Sequence, residues 1–330
     1  MNAGVAVADI LRAHALRYDG PLSVGSGAAV HRVVDEEGRP WVLKCYGAKP
    51  GVQQRELDFY ESASRQRYEH LLVPRLLQAG EGYAITAFVE REAHTLDSIV
   101  ERTWTAADVD LWVRALLEFQ ETPMRRRHFP ISKQVLGLAY PIFRMGALLR
   151  RLGPRMGAAA RDRARGMMTS YAALRPRIRN VLVHYDLQTS NYTFAVGTRR
   201  MSILDFEFSY YKGDPLFDLA YYCTIPVVEL GDWDFQRRLI ARYVTLARAR
   251  AGYLVGWERR LRLILLVCAL TRYVHFIGDA ARQEAYWRSA ELVLSDEAYR
   301  TFVNDVRALV DEEPVGGEPP LLRERNEMAA

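Results

Sequence analysis

Cysteine is scarce in this sequence. Cys45, Cys223 and Cys268 are the only three in 330 residues, and no two stand close enough to form a C-x-x-C pair. A disulfide scaffold and a cysteine-based zinc site are therefore excluded as organising principles, and a cytoplasmic, reducing location is expected. Lysine is scarce too. There are four, at 44, 49, 133 and 212, so most of the positive charge is arginine. Long apolar runs are missing. The two most apolar stretches, 135–149 and 261–277, are interrupted by Arg144, and by Arg262 and Arg272. Neither reaches the roughly 20 apolar residues that cross a bilayer. The opening MNAGVAVADILRAHALRYDG has no basic start and carries Asp9 inside its apolar run. It reads as an amphipathic helix and not as a signal peptide. No segment repeats.

About half of the chain is apolar (49%), enough for one large domain or two lobes with a sizeable core. The net charge of +5 hides an asymmetry. Residues 122–180 hold Lys133 and thirteen arginines against one acid, Asp162, a balance of +13 that leaves −8 for the rest. Such an imbalance bears on partners more than on fold.

Along the chain the pattern changes once. From Leu22 to Tyr46, LSV, AAVHRVV and PWVLKCY alternate with the turns GSG and DEEGR, which predicts a three-stranded meander. VQQRELDFYESASRQR, from Val52 to Arg67, has helical spacing, and VPRLLQAG and GYAITAFVE read as two further strands around a glycine turn. After Glu90 helical periodicity dominates, with Asp97 and Thr105 placed to cap first turns. Residues 181–208 are a β-rich exception, and helices resume from Leu216 to about Leu309. The division expected is 1–90, 91–312 and a disordered tail at 313–330, rich in Pro, Gly and charge.

The chemistry concentrates in VLVHYDLQTSNYTF and MSILDFEFSYYKGDPLFDLAYY. His184, Asp186 and Asn191 share a short loop between β-like runs, and the next run ends on Asp205. Neighbouring strands would bring Asp186, Asn191 and Asp205 to one end of a small sheet. That gives a carboxylate to receive a hydroxyl proton, with an amide and a second carboxylate whose oxygens suit a hard cation such as Mg²⁺. Phosphoryl transfer asks for little more than such positioning and charge neutralisation.

This ordered set, HYDLQTSN, ILDFE and GDPLFDLA, resembles the catalytic region of the aminoglycoside phosphotransferase and choline kinase-like family. The resemblance implies an α+β, two-lobed protein kinase-like fold, with a small antiparallel-sheet N-terminal lobe and a mostly helical C-terminal lobe. It implies ATP and Mg²⁺ as cofactors and a hydroxyl of a small molecule as acceptor: an antibiotic, sugar, amino alcohol or glycolipid headgroup. Carried over by motif, Asp186 is the catalytic base. Asn191 and Asp205 are metal ligands, with Glu207 as an additional one. His184, Asp214 and Asp218 brace the loop. Lys44 in WVLKCY resembles the lysine that contacts the nucleotide phosphates, and Glu56 its helical partner in preference to Glu61. Gly25, Ser26 and Gly27 would form the turn over the phosphates, where small residues let backbone amides approach an anion. Phe88 and Val89 fall at the interlobe hinge that faces adenine.

The chain departs from the family pattern at Tyr185 and at Gln188-Thr189-Ser190, where the family often has Gly and His-Pro-Gly. These positions border the acceptor, whose identity stays open. A protein Ser/Thr kinase is disfavoured, because Asp205 is followed by Phe206-Glu207 and GDPLFDLA leaves little room for an activation loop. A nucleotide-binding module without catalysis is disfavoured by the full set of base, metal ligands and lysine. The tyrosines at 210, 211, 221 and 222 could line an acceptor site, but most read as packing residues. For the basic segment, three readings compete: a solvated face, attraction of an anionic acceptor such as a phosphorylated sugar or glycolipid headgroup, or peripheral contact of 131–157 with an anionic membrane. Nucleic acid is not expected, because no recognition motif accompanies the charge.

Overall fold

A computed structural model describes residues 7–24, 28–47, 50–90, 104–123, 137–195, 197–206, 210–230 and 233–312. The expectations for Gly25, Ser26, Gly27, Asp97, Glu207 and the tail 313–330 lie outside the described residues.

Strict alternation shapes the first sheet. In β3 (Pro40–Cys45), Trp41 and Leu43 turn to a buried face, and Val42 and Lys44 turn to the other. β1 (Arg17–Val24), β2 (Ala29–Val34), β3, β5 (Leu76–Gly80) and β6 (Tyr83–Ala87) form one antiparallel sheet in the order β1-β2-β3-β6-β5. The register sets Val30 and Ala84 on either side of Lys44. One face packs on α1 (Val7–Ala13) through Ile10, Val33, Trp41, Leu43 and Ile85. α2 (Pro50–Ala63) lies between β3 and β5 in the chain. The predicted meander, helix and hairpin are all present. β1 starts earlier than expected and includes Pro21, which an edge strand tolerates because its amide side need not pair.

The two-residue strand β4 (Leu71–Leu72) was not legible. It pairs parallel with β9 (Met201–Ile203), which pairs antiparallel with β8 (Tyr192–Phe194). This small sheet stitches the segment after α2 to the strands that flank the motif loop. Glu118 adds a second stitch, because its carboxylate accepts from the amides of Glu69, His70 and Leu71.

The rest is mostly helical. α3 (Ala106–Gln120) starts at a full capping box, with Thr105 and Asp108 each receiving the other's backbone amide. α4 (Tyr140–Leu152), α5 (Ala158–Leu174), α6 (Phe217–Leu230), α7 (Trp233–Ala247), α8 (Trp257–His275), α9 (Ala280–Leu294) and α10 (Asp296–Glu312) follow. α8 is the hub, in contact with α4, α5, α6 and α9, and Leu261, Leu263 to Leu266 and Val267 to Leu270 are buried in it. Among the described residues no helix is long and apolar enough to cross a membrane.

Of the basic stretch 131–157, residues 137–157 are described. That part holds α4, whose Met145, Leu148 and Leu152 are buried in the main core while Phe143 is exposed. Most of the described arginines of the basic segment are exposed, as a solvated face would have them, and several also make contacts within the fold. Arg161 and Arg163 donate to the carbonyls of Gly153 and Leu294, and Arg155 donates to Tyr273 while lying over the Trp287 ring. They tie helix ends to neighbours.

Candidate active site

The site is best built outward from Lys44. Its ammonium lies 2.7 Å from Glu56 Oε2 and 2.6 Å from Asp205 Oδ1. The lysine side chain is 12% exposed and Glu56 3%, whereas Asp205 is 35% exposed. Burial opposes the charge on Lys44, but the two carboxylates outweigh it and raise its pKa above the usual lysine value. Glu56 reaches this point because it faces inward from α2, and Tyr60 donates to its other oxygen. Glu61 faces out and pairs with Arg65. The helical period of 3.6 separates the two glutamates.

The motif loop leaves β7 (Val181–Val183) and is held by a buried carboxylate. Asp218, on the first turn of α6, accepts the amides of His184 at 2.8 Å and Tyr185 at 2.9 Å. Burial pushes the Asp218 carboxyl up to about 7; the two amides pull it down and the nearby Asp186 charge pushes it up. Tyr185 adopts a left-handed φ of 64°, unusual for a non-glycine residue. Asp205 does the same at 60°. Two strained residues, one in each functional loop, mark a backbone over-determined by its surroundings.

Asp186 is tethered from three sides. Tyr221 donates to Oδ1 at 2.8 Å, and the Asn191 amide donates to Oδ2 at 3.2 Å and to the Asp186 carbonyl at 2.8 Å. Gln188 reaches Oδ2 at the limit of 3.5 Å. Because Asn191 spends its NH₂ on Asp186, its Oδ1 turns outward with the Ser190 hydroxyl at 3.3 Å. Asp205 Oδ2 takes no hydrogen bond among the described residues. His184 is fully buried and bridges the loops. The Leu204 carbonyl can only accept, so Nε2 carries the proton at 2.8 Å and Nδ1 receives the Asp186 amide at 3.3 Å. Burial lowers the pKa of His184, which keeps it neutral.

Asp214, just past β10 (Tyr210–Gly213), forms a fully buried pair with Arg260 of α8, at 2.9 and 2.5 Å. Tyr171 and the Leu216 amide donate to the same carboxylate. The conformation of the GDPLFDLA segment is thus fixed to α8 and α5.

Lys44, Glu56, Asp186, Asn191 and Asp205 line one cleft of about 1320 Å³. Val30, Val42, Ala84, Thr86, Phe88 and Val89 form one apolar wall beside Lys44, and Asp186, Asn191 and Asp205 stand across from it. The far end holds Tyr140, Tyr185, Gln188, Tyr221, Thr271 and Arg272. Sequence reasoning did not separate Tyr221 from its neighbouring tyrosines and did not single out Phe206, Arg260 or Arg272; of these four, Tyr221 and Arg272 line the cleft. Tyr221 is tied to Asp186, whereas Tyr222 packs in the core against Trp112 and bonds Tyr192. The spacing of Tyr221 from Asp218 on one helix face was the available signal. Phe206 stacks on Phe59 at 3.7 Å, clamping Asp205 to α2. Arg260 and Arg272 had no local signal, because their partners are 46 and 84 residues away.

The chain matches the model of the phosphotransferase enzyme family over residues 20–261. It belongs to that family. No curated protein is similar enough to match. Among solved structures, the aminoglycoside phosphotransferase APH(2")-IIa with streptomycin and ATP is 15% identical, with a TM-score of 0.57 over 88% of this chain and 97% of that one. An ethanolamine kinase from Plasmodium vivax is likewise 15% identical, with a TM-score of 0.57 over 87% and 84%. The GDP complex of an aminoglycoside 2'-phosphotransferase-IIIa is 13% identical, with a TM-score of 0.56 over 85% and 94%. At such identities the likeness establishes the kinase-like fold, and family membership makes the chain a phosphotransferase.

Proposed function

We propose that this phosphotransferase moves the γ-phosphoryl group of ATP, with Mg²⁺, to a hydroxyl of a small molecule. The observation that carries the reading is Lys44. A buried ammonium is held between Glu56 and Asp205 in the cleft that also presents Asp186 and Asn191. The donor chemistry fits the cofactors. Asp205 Oδ2 and Asn191 Oδ1 offer oxygen to a hard cation, and the apolar wall from Val30 to Val89 suits a purine. Glu207 is proposed as a further metal ligand. Gly25, Ser26 and Gly27 would cover the phosphates, and Phe88 and Val89 would face adenine. Bound nucleotide and magnesium supply the phosphoryl group and neutralise its charge.

The chain's own residues do the rest. Lys44 exchanges part of its contact with Asp205 for phosphate oxygens, and Glu56 keeps it in place. Asp186 receives the proton of the acceptor hydroxyl. Tyr221 and Asn191 hold its carboxylate in one orientation, so little reorganisation precedes the transfer. His184, Asp214 and Asp218 position the loop and take no part in the chemistry. Residues 1–90 act as the nucleotide clamp and 91–312 as the catalytic and acceptor lobe. A protein kinase fits less well, because α6 begins at Phe217, soon after Asp205, leaving no length for an activation segment.

The test is transfer of label from γ-labelled ATP across a panel of hydroxyl compounds: aminoglycosides, choline, sugars, sugar phosphates and glycolipids. The expected result is a labelled product that disappears on chelation and in Asp205→Asn. Transfer that persists without divalent metal, or in Asp205→Asn, contradicts the reading.

A further inference from the structure

We infer that the acceptor end of the cleft is an anion site, and that the hydroxyl phosphorylated belongs to a molecule carrying a phosphate or carboxylate, bound by Arg272. This rests on the function proposed above and names the substrate class of the same site.

Arg272 lies in the last turn of α8 and is 8% exposed, yet it lines the cleft. An arginine brings five N–H donors in a planar fork. Here one reaches Gln188 Oε1, at 3.2 Å. The guanidinium carbon stands 4.7 Å from the centre of the Tyr221 ring, and the buried Nε has no hydrogen-bond partner among the described residues. No carboxylate pairs with Arg272 among the described residues. Arg260, on the same helix, shows how this fold treats a buried arginine otherwise. It takes both oxygens of Asp214 and the carbonyls of Tyr253 and Val255. The carbonyl end of α8 eases the charge on Arg272 but offers its guanidinium no acceptor. A nearly buried, underused fork at the wall of a cleft is the geometry that binds carboxylate or phosphate in a bidentate manner.

The position fits an acceptor. Tyr221 lies under Arg272 and donates to Asp186, and Gln188 also spans from Arg272 toward Asp186. An anion on Arg272 therefore sits one side chain away from the proposed base, close enough to aim a hydroxyl of the same small molecule at it. Gln188 is among the residues that depart from the family pattern. The basic segment touches this end of the cleft from behind, without lining it. Arg144, from the basic segment, donates to Thr271, a cleft residue adjacent to Arg272. Of the carboxylates lining the cleft, Asp186 is linked to Arg272 through Tyr221 and Gln188, and Glu56, Glu90 and Asp205 are not. A polycationic acceptor would meet a guanidinium that no carboxylate pairs among the described residues, a built-in penalty against that class.

The test is calorimetric binding to the full-length protein, saturated with Mg²⁺ and a non-hydrolysable ATP analogue. The probes are glucose, glucosamine, glucose 6-phosphate, glucuronate and a short-chain phosphatidylglycerol. At least one anionic probe is expected to bind tighter than glucose and glucosamine by roughly tenfold or more, the value of a charge-assisted contact. Which one does so separates sugar phosphate, sugar acid and lipid headgroup. Arg272→Gln should erase the preference and Arg272→Lys should retain part of it, with thermal melts confirming that both variants fold. An arginine that only packs Tyr221 would weaken all probes together and leave their ratio unchanged. That result, no anionic probe ahead of the others, or a preference that survives in Arg272→Gln contradicts the inference. Transfer to a cationic acceptor that still needs Asp186 would sink this inference while leaving the proposed function standing.

Discussion

Lys44 serves two carboxylates, Glu56 and Asp205, and that arrangement has a measurable cost when broken. Lys44→Met leaves Glu56 buried without its cation. Loss of one partner from a buried pair destabilises by about 3 kcal/mol or more, so the denaturation midpoint should fall clearly. Glu56→Gln keeps a hydrogen-bonding partner for the lysine and should cost less. Equal stability of Lys44→Met and wild type in urea titrations would contradict the geometry. Asp218 gives a pH signature. Its folded pKa of about 7 lies above its ordinary value of 3.8. The native state therefore holds a proton that the unfolded chain releases between those values. The stability this confers is fully present below the unfolded pKa and is lost as pH rises through about 7. Asp218→Asn should flatten that part of the stability–pH curve between about pH 4 and about pH 8, read by denaturation at several pH values. A wild-type curve flat across this range would exclude the shift. At this scale the sequence was informative where motif spacing is short. His184, Asp186 and Asn191 occupy one loop, and Asn191 turns its amide to Asp186. Tyr221 was read as packing because nothing in the order of residues shows which of two adjacent tyrosines faces the cleft.

Among the elements, β3 was the most legible. Its alternation of Trp41 and Leu43 with Val42 and Lys44 sorts core from cleft by period alone. β4 was the least legible, since two residues carry no pattern and their pairing with β9 is made by distant chain. α8 shows a different limit. Its apolar composition predicts burial, but not that Arg260 crosses the core to Asp214. That pair is fully buried and anchors the segment between β10 and α6. Arg260→Met should destabilise by about 3–5 kcal/mol because Asp214 is left charged and enclosed, whereas joint replacement of both residues by apolar ones should recover much of the loss. A double-mutant cycle in chemical denaturation measures this, and simple additivity would contradict the pairing. The arginines of the basic segment were counted correctly and their placement was not foreseen. Charge totals do not distinguish a guanidinium in solvent from one that ties a helix end, as Arg161 does at Gly153.

At the scale of the whole molecule, a five-stranded sheet and a helical body place their functional groups on facing walls of one cleft. The overall plan was readable because the change from period 2 to period 3.6 after Glu90 is sharp. The acceptor end was not, because Tyr140, Gln188, Tyr221, Thr271 and Arg272 converge from distant parts of the chain. The central claim is that Asp186 acts on the acceptor and not on the nucleotide. The most direct measurement pairs Asp186→Asn with wild type, reading labelled phosphate transfer and calorimetric ATP·Mg binding on the same samples. A loss of transfer of about 10³-fold, the upper part of the range for a general base, with nucleotide affinity within a few-fold of wild type is the predicted result. Transfer equal to wild type, or nucleotide binding lost along with transfer, would contradict it.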